Sequence, residues 1–369
     1  MTTGRLLLAV ETDGAGAHPA AWRYPGVSGA ALDPKSIAAA VIAAEKAGFA
    51  LAAFGDGPVP PPAGSRIEAG VRAAYLSPLT TRIGLAPALH VTTAEPFHLA
   101  TQLASLDHAS HGRAAWVVGA ANDGPARATI GAAPLDAAAR GQELRDVIDV
   151  ARALWDSWED DAVIKDTVTG RFIDNDKVHH VRFEGASFSV AGPLITPRPP
   201  QGQVVIIAPD SLGVADRSDI TLIGGFSPTI GHGPRVLAGR AGRAREAGSP
   251  LVFAELEVAL DQPGERAANR LARLASLAAW PATDRVRFAG SAEALTEFLA
   301  GLAAYVDGVL FHPAEAAVDF PILCGEVLPA LTASGLARTP GPDGGTLRDV
   351  LGLPRPANRF AHPVRSARA

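Results

Sequence analysis

A (β/α)8 barrel with insertions is the α/β fold class this 369-residue sequence predicts, and three observations predict it. Eight short apolar runs recur along the chain, nearly all alternating with helix-length segments. The runs lack the alternation of a half-exposed sheet, as expected when both faces of parallel strands are covered. No G-x-G-x-x-G fingerprint follows the first run, which counts against a dinucleotide fold with an open sheet.

The pattern is clearest between Glu95 and Ala121. Glu95 and Pro96 suit the first turn of a helix, where an acid meets the positive dipole end and proline's missing N–H is not needed. Leu99, Leu103 and Leu106 recur on one helical face, and Gly112 is the expected terminator. Ala114–Val118 follows as a strand, and Arg82–Ala88 precedes the helix as another, which completes a βαβ unit.

The remaining elements follow in order. Leu6–Val10 is the first strand. Residues 11–35 form a loop, and Asp33-Pro34 opens a helix that runs to Ala47 and stops at Gly48. Leu51–Phe54 is the second strand. The prolines of 56–64 forbid a helix interior there, and a helix over 66–77 leads to the third strand. After the fourth strand a long helix spans about 137–158, with Leu144, Val147, Ile148, Ala151 and Leu154 on one face. Val204–Ile207, Ile220–Ile223, Val252–Leu260 and Gly308–Phe311 complete the eight strands. Helices fit 234–247, 264–279, 292–304 and 318–333.

Two segments break the alternation. Residues 159–203 form a large insertion, in which Val178–Phe183 and Ser187–Val190 read as a β-hairpin around Glu184-Gly185. Long loops of this kind are uncommon unless they line or cover a site. The Pro/Gly-rich tail 338–369, with a short helix near Leu347–Leu351, is expected to pack outside the barrel or to fray. The whole chain, 1–369, reads as one domain.

Composition narrows the function. Apolar residues make up 47%, enough for a large core, and no window approaches an uninterrupted membrane span of ~18 to 20 residues. Net charge is −5 without blocks or a basic stripe, which excludes nucleic acid as an expected partner. Cys324 is the only cysteine, so no intrachain disulfide or thiolate metal cluster forms, and a reducing cytoplasm fits. Adjacent His179 and His180 in a strand point to opposite faces and do not share a metal. Glu159-Asp160-Asp161 reads as a solvated or hydrogen-bonded turn, and Arg198 as an anchor of the insertion. Neither a G-x-S-x-G elbow nor a P-loop is present.

The segments SLDHASHGRAAW (105–116), LWDSWEDDAVIKDTVTGRFIDNDKVHHVRFEGASFSVAGPLITPRPPQG (154–202) and LRDVLGLPRPANRF (347–360) carry a resemblance. The chain resembles the flavin-dependent monooxygenases related to bacterial luciferase, in the branch that acts on nitrilotriacetate, EDTA and dibenzothiophene sulfone. The resemblance implies a TIM barrel with insertions and a homodimer, or a heterodimer with a related barrel. It also implies reduced FMN supplied by a separate flavin reductase, and O₂ activated on the flavin to oxygenate a small organic substrate. Deazaflavin users belong to the same superfamily, but the nearest branch points to FMN.

On that resemblance, polar groups are expected at the strand ends. Asp56 stands where the family has an acid beside the flavin; an Asp-Gly turn is the competing reading. Ser211 stands where the family has a phosphate-binding serine, against a plain loop or N-cap serine. His90 replaces the family's small hydroxyl residues and either donates to flavin or substrate or is a satisfied structural histidine. His232 and His312, beyond the sixth and eighth strands, are weaker candidates for facing the substrate. Other positions depart from the pattern. Val117, Ala120 and Ala121 replace a polar strand end, and Pro134-Leu135 stands where a His and a Tyr are expected. Ala208-Pro209-Asp210-Ser211-Leu212 replaces the phosphate loop, and the piece from there to the next strand is shorter by about one helical turn. Two functions therefore compete: an FMNH2-dependent monooxygenase with an altered flavin site, and a non-catalytic barrel serving as partner subunit or binder of another small ligand.

Overall fold

The computed structural model describes residues 4–24, 30–61, 65–225, 235–338, 341 and 344–361. Eight parallel strands form the ring: β1 (Leu7–Glu11), β2 (Leu51–Phe54), β3 (Gly84–His90), β4 (Ala115–Gly119), β5 (Val205–Pro209), β6 (Ile220–Ile223), β7 (Leu251–Leu260) and β8 (Gly308–Pro313). Their order is the chain order, and the ring closes where Leu7–Val10 of β1 pairs with Gly308–Phe311 of β8. All eight expected strands are ring strands, displaced by no more than two residues at either end. A ninth, Val286–Gly290, was not expected; it pairs in parallel with Leu256–Leu260, the far half of β7, while the near half pairs with β6.

Alternate residues of β1 explain the missing hydropathy alternation. Leu8 and Val10 join the cluster between barrel and helices, whereas Leu7 and Ala9 join the one inside the barrel. Both faces are buried, so both are apolar. The interior is packed by Leu51, Ala86, Val205, Ile207, Leu222 and Phe253 among others, which makes it a filled core and not a pore.

The caps follow the residues. Asp33 accepts from Lys35 and Ser36 at the start of the helix Pro34–Ala47, and Gly48 ends it at φ 101°. Glu95 caps the helix Pro96–Ala109 through Phe97 N and His98 N. That helix stops at Ser110, before the expected Gly112, which instead lies in the following turn against Thr346. The long helix spans Ala137–Trp155 and is capped by Asp136. Ala316–Ala333 is the one described helix with the length and mean hydropathy, 1.4, to cross a membrane. It carries a π-helical stretch at Leu323–Val327 and packs Leu323, Val327, Leu328 and Leu331 into the core.

Two expectations need correction. The hairpin near Glu184-Gly185 pairs only Phe183–Glu184 with Ser189–Val190, and a second, Val163–Asp166 with Arg171–Ile173, precedes it. The helix Leu347–Leu351 does not lie outside the barrel. Leu347, Val350, Leu351 and Leu353 join the interior cluster and plug its N-terminal end, because the short, apolar LRDVLGL segment completes a layer that the ring alone leaves uncovered. Between β5 and β6 there is no helix, only two three-residue 3-10 turns, Asp210–Leu212 and Ala215–Arg217.

Candidate functional site at the barrel mouth

Three ring strands carry charge towards the interior at their C-terminal ends, where this architecture places its chemistry. Phe253 and Leu310 face inward, so two-residue periodicity turns Glu255, Glu257 and His312 inward as well, beside Glu11 at the end of β1. His312 is 2% exposed and lies between two carboxylates: Nδ1 meets Glu11, and Nε2 lies 3.1 Å from Glu255. Arg285, just before the ninth strand, reaches Glu255 at 3.2 Å, Glu257 at 3.8 Å and Glu11 at 3.9 Å. Arg287 pairs with Glu257 at 2.7 Å. Three acids, two arginines and one histidine thus form a lid of paired charge over the apolar interior.

The electrostatics are mutual. Burial works against a charged His312, and Arg285 adds to that, yet Glu11 and Glu255 outweigh both and raise its pKa. Burial alone would raise Glu11, but His312, Arg285 and Arg72 bring it down to about 2. Asp13 is pushed up to about 7 by burial and then by the charge of Glu11, against the pull of Arg72. Arg72, from the helix Ala69–Leu76, pairs with Asp13 and donates to the Gly55 carbonyl. Gly55 is glycine for want of space: a Cβ would sit 2.5 Å from Asp13 Oδ2 and 3.3 Å from Glu11 Oε1.

Above this network lies a cavity of about 470 Å³, within the size range of small-molecule sites. Glu11, Asp13, Glu257, Arg66, Arg72 and Arg285 supply its charge. Trp22, Leu32, Ile37, Pro61 and Trp280 supply apolar wall, and His18 lies at its edge. Among the described residues, no group of three or more His, Cys, Asp or Glu side chains is arranged to hold a metal ion.

Residues 14–308 match the family model for luciferase-like monooxygenases. The chain belongs to that family. It is 36% identical over 216 residues to N-acetyl-S-(2-succino)cysteine monooxygenase of Bacillus subtilis (strain 168), a match covering 57% of this chain and 49% of that protein. It is 37% identical over 135 residues to dibenzothiophene-sulfone monooxygenase of Rhodococcus erythropolis, covering 36% of this chain and 30% of that one. In both cases the match spans less than half of the relative's length. The structure of EDTA monooxygenase from Chelativorans sp. BNC1 superposes with a TM-score of 0.77 at 20% identity, over 95% of this chain and 99% of that one, and shows the same fold.

Within this luciferase-like barrel the singled-out residues fall into separate places. Asp56 accepts from its neighbour Gly57 N at 2.7 Å and from Ala69 N at 2.6 Å, at the start of the next helix, and Arg66 lies 3.7 Å away. His90 spans two strand ends: its Nδ1 accepts from Ala121 N at 3.0 Å, which leaves Nε2 to donate to the Asp56 carbonyl at 3.0 Å. Gly119 makes room for that ring, since a Cβ would lie 2.6 Å from Nδ1. Ser211 sits exposed on a 3-10 turn whose Asp210 is held by Arg240 at 2.7 Å. His312 lies in the charged network beneath the cavity. His232 lies outside the described residues. Asp56, His90, Ser211 and His312 are not among the cavity-lining residues.

The cavity is built mostly from residues that sequence reasoning passed over: Glu11, Asp13, His18, Arg72, Glu257, Trp280 and Arg285. One signal was available. Glu255 and Glu257 interrupt an otherwise apolar buried strand at two-residue spacing, and same-face acids in a barrel strand point at a mouth.

Proposed function

We propose that this protein is a flavin-dependent monooxygenase that oxygenates a small organic substrate at the barrel mouth, drawing reduced FMN from a separate reductase, with an altered flavin site. The observation that carries the reading is the cavity of about 470 Å³ at the carboxyl ends of the strands in a chain of the luciferase-like family. Two tryptophans on its walls and a paired-charge floor suit a flat ring system. A phosphate dianion does not fit at Ser211. The segment there offers no helix N-terminus, and Asp210 adds negative charge already committed to Arg240. When bound, reduced flavin supplies the electrons and activates O₂. The chain's own residues orient and shield: Trp22 and Trp280 give the ligand an apolar wall, and the Asp13 carboxyl, paired with Arg72 and raised to about 7, can exchange a proton near neutral pH.

The Ser211 turn also favours the second reading, a non-catalytic barrel acting as partner subunit or binder of another ligand. Anaerobic titration of the purified protein with reduced FMN separates the two. Micromolar or tighter binding is expected of the monooxygenase; no binding up to millimolar concentration leaves the second reading.

A further inference from the structure

The charged groups of the mouth cavity are already paired with one another. Arg72 is matched by Asp13, Arg66 by Asp56, and Arg285 by Glu11, Glu255 and Glu257; Glu257 is shared with Arg287. A ligand carboxylate would compete with these acids for the guanidinium groups, and an ammonium would compete with the arginines. The buried side-chain polar capacity left over is of one kind. Among the described residues lining the cavity, His18 Nε2 and Arg72 Nε are buried with no hydrogen-bond partner. Both are N–H donors, because His18 Nδ1 accepts from Ala20 N at 3.1 Å and so places the ring proton on Nε2.

His18 is firmly placed. It is 2% exposed, and its ring meets Trp280 edge-on at 4.9 Å. Its backbone N–H donates to the Ala314 carbonyl at 3.0 Å. Gly16, at φ 121°, allows this, since a Cβ there would lie 2.6 Å from that same carbonyl oxygen. Burial, and then Arg287, lower the pKa of His18 against Glu257, so the imidazole stays neutral and donates without adding charge.

We propose that the mouth cavity selects an uncharged organic molecule bearing a carbonyl-type oxygen, and that His18 Nε2–H is the donor that positions this oxygen. The inference rests on the reading of this cavity as the organic ligand's site, and it names the class of ligand.

Flavin-free protein labelled with ¹⁵N-histidine is titrated with acetophenone, benzoate and benzylammonium, which share a ring and differ in the polar group. Acetophenone is expected to bind at least about tenfold more tightly than either ion and to shift the His18 Nε2 resonance. His18→Phe is expected to weaken acetophenone about tenfold, and His18→Gln, which keeps a donor at nearly the same reach, to stay within about threefold of wild type. Equal or tighter binding of either ion, no binding of acetophenone, or an unchanged His18→Phe affinity overturns the proposal. If His18→Phe fails to fold by circular dichroism, the wild-type spectrum decides, and an unmoved Nε2 resonance overturns it. Because flavin is absent throughout, a failed FMN titration leaves this result standing, and the reverse also holds.

Discussion

Asp13 illustrates how a single side chain at the mouth links protonation to stability. Its pKa moves from an ordinary 3.8 to about 7 in the folded chain, so the folded state binds the extra proton between those values. Its contribution therefore favours folding at low pH and is lost as pH rises towards 7. Glu11 runs the other way: at about 2 instead of 4.5, it stabilises above its ordinary value and loses that contribution as pH falls. Asp13→Asn should remove the first slope. Between about pH 5 and about pH 8, the variant should gain about 2 to 3 kcal/mol relative to wild type in urea unfolding. An identical difference at both pH values would refute the assignment. Residue-level reading of the sequence was weakest here. Glu11 and His312 lie 301 positions apart, and only ring closure brings them together. The Asp56–Gly57 contact, by contrast, joins sequence neighbours, whereas His90 reaches Asp56 and Ala121, 34 and 31 positions away.

Among the elements, the insertion 159–203 and the tail are fastened by the segments that made the chain recognisable. Asp107, fully buried, accepts from Ala114 N and from the side chain and backbone of Gln201. Arg113 donates to Ser110, Thr80, Ile83 and Ser77. Arg198 clasps Asp156 at 2.9 and 3.0 Å, Asp160 at 3.1 Å and the Pro356 carbonyl at 2.8 Å, with Arg355 adding to Asp160. The expected anchoring role of Arg198 is borne out, and in the Glu159–Asp161 turn Glu159 meets His179 at 2.8 Å while Asp160 and Asp161 pair with Arg198 and Lys177. A planar fork serving this many acceptors has no substitute in an ammonium. Arg198→Lys should cost about 3 kcal/mol by leaving Asp156, 2% exposed, short of partners, and should speed proteolysis of the tail. Unchanged urea midpoint and cleavage rate would show that the clasp contributes little. These stretches are scaffold, which explains why family resemblance was plain in sequence while the ligand site was not. The ninth strand was missed for a related reason: VRFAG is short and broken by Arg287, and only pairing to an extended β7 makes it a strand.

At the scale of the whole molecule, closure depends on both ends of the chain. β1 binds β8, and the 347–351 helix seals the interior that β1 helps to line. We expect 1–369 to behave as one domain, unfolding in a single calorimetric transition with matching calorimetric and van't Hoff enthalpies. Two resolved transitions would break that expectation. The barrel itself was readable because every ring strand announced itself as a doubly covered apolar run. The helix missing after β5 was legible only as a shortfall in length, since the residues that remain say nothing about the turn that replaced it.

The extended β7 and its late partner also bear on how specificity would change in descendants of this protein. Arg287 is carried on that partner strand, with Trp280, Thr283 and Arg285 in the stretch leading into it, so one flank of the mouth is tied to a hydrogen-bonded ribbon. A flank of this kind works like a fixed template rather than a flap. New preferences would arise there by exchanging Trp280, Thr283 or Arg285, whose reach into the mouth is set by the anchored ribbon they lead into.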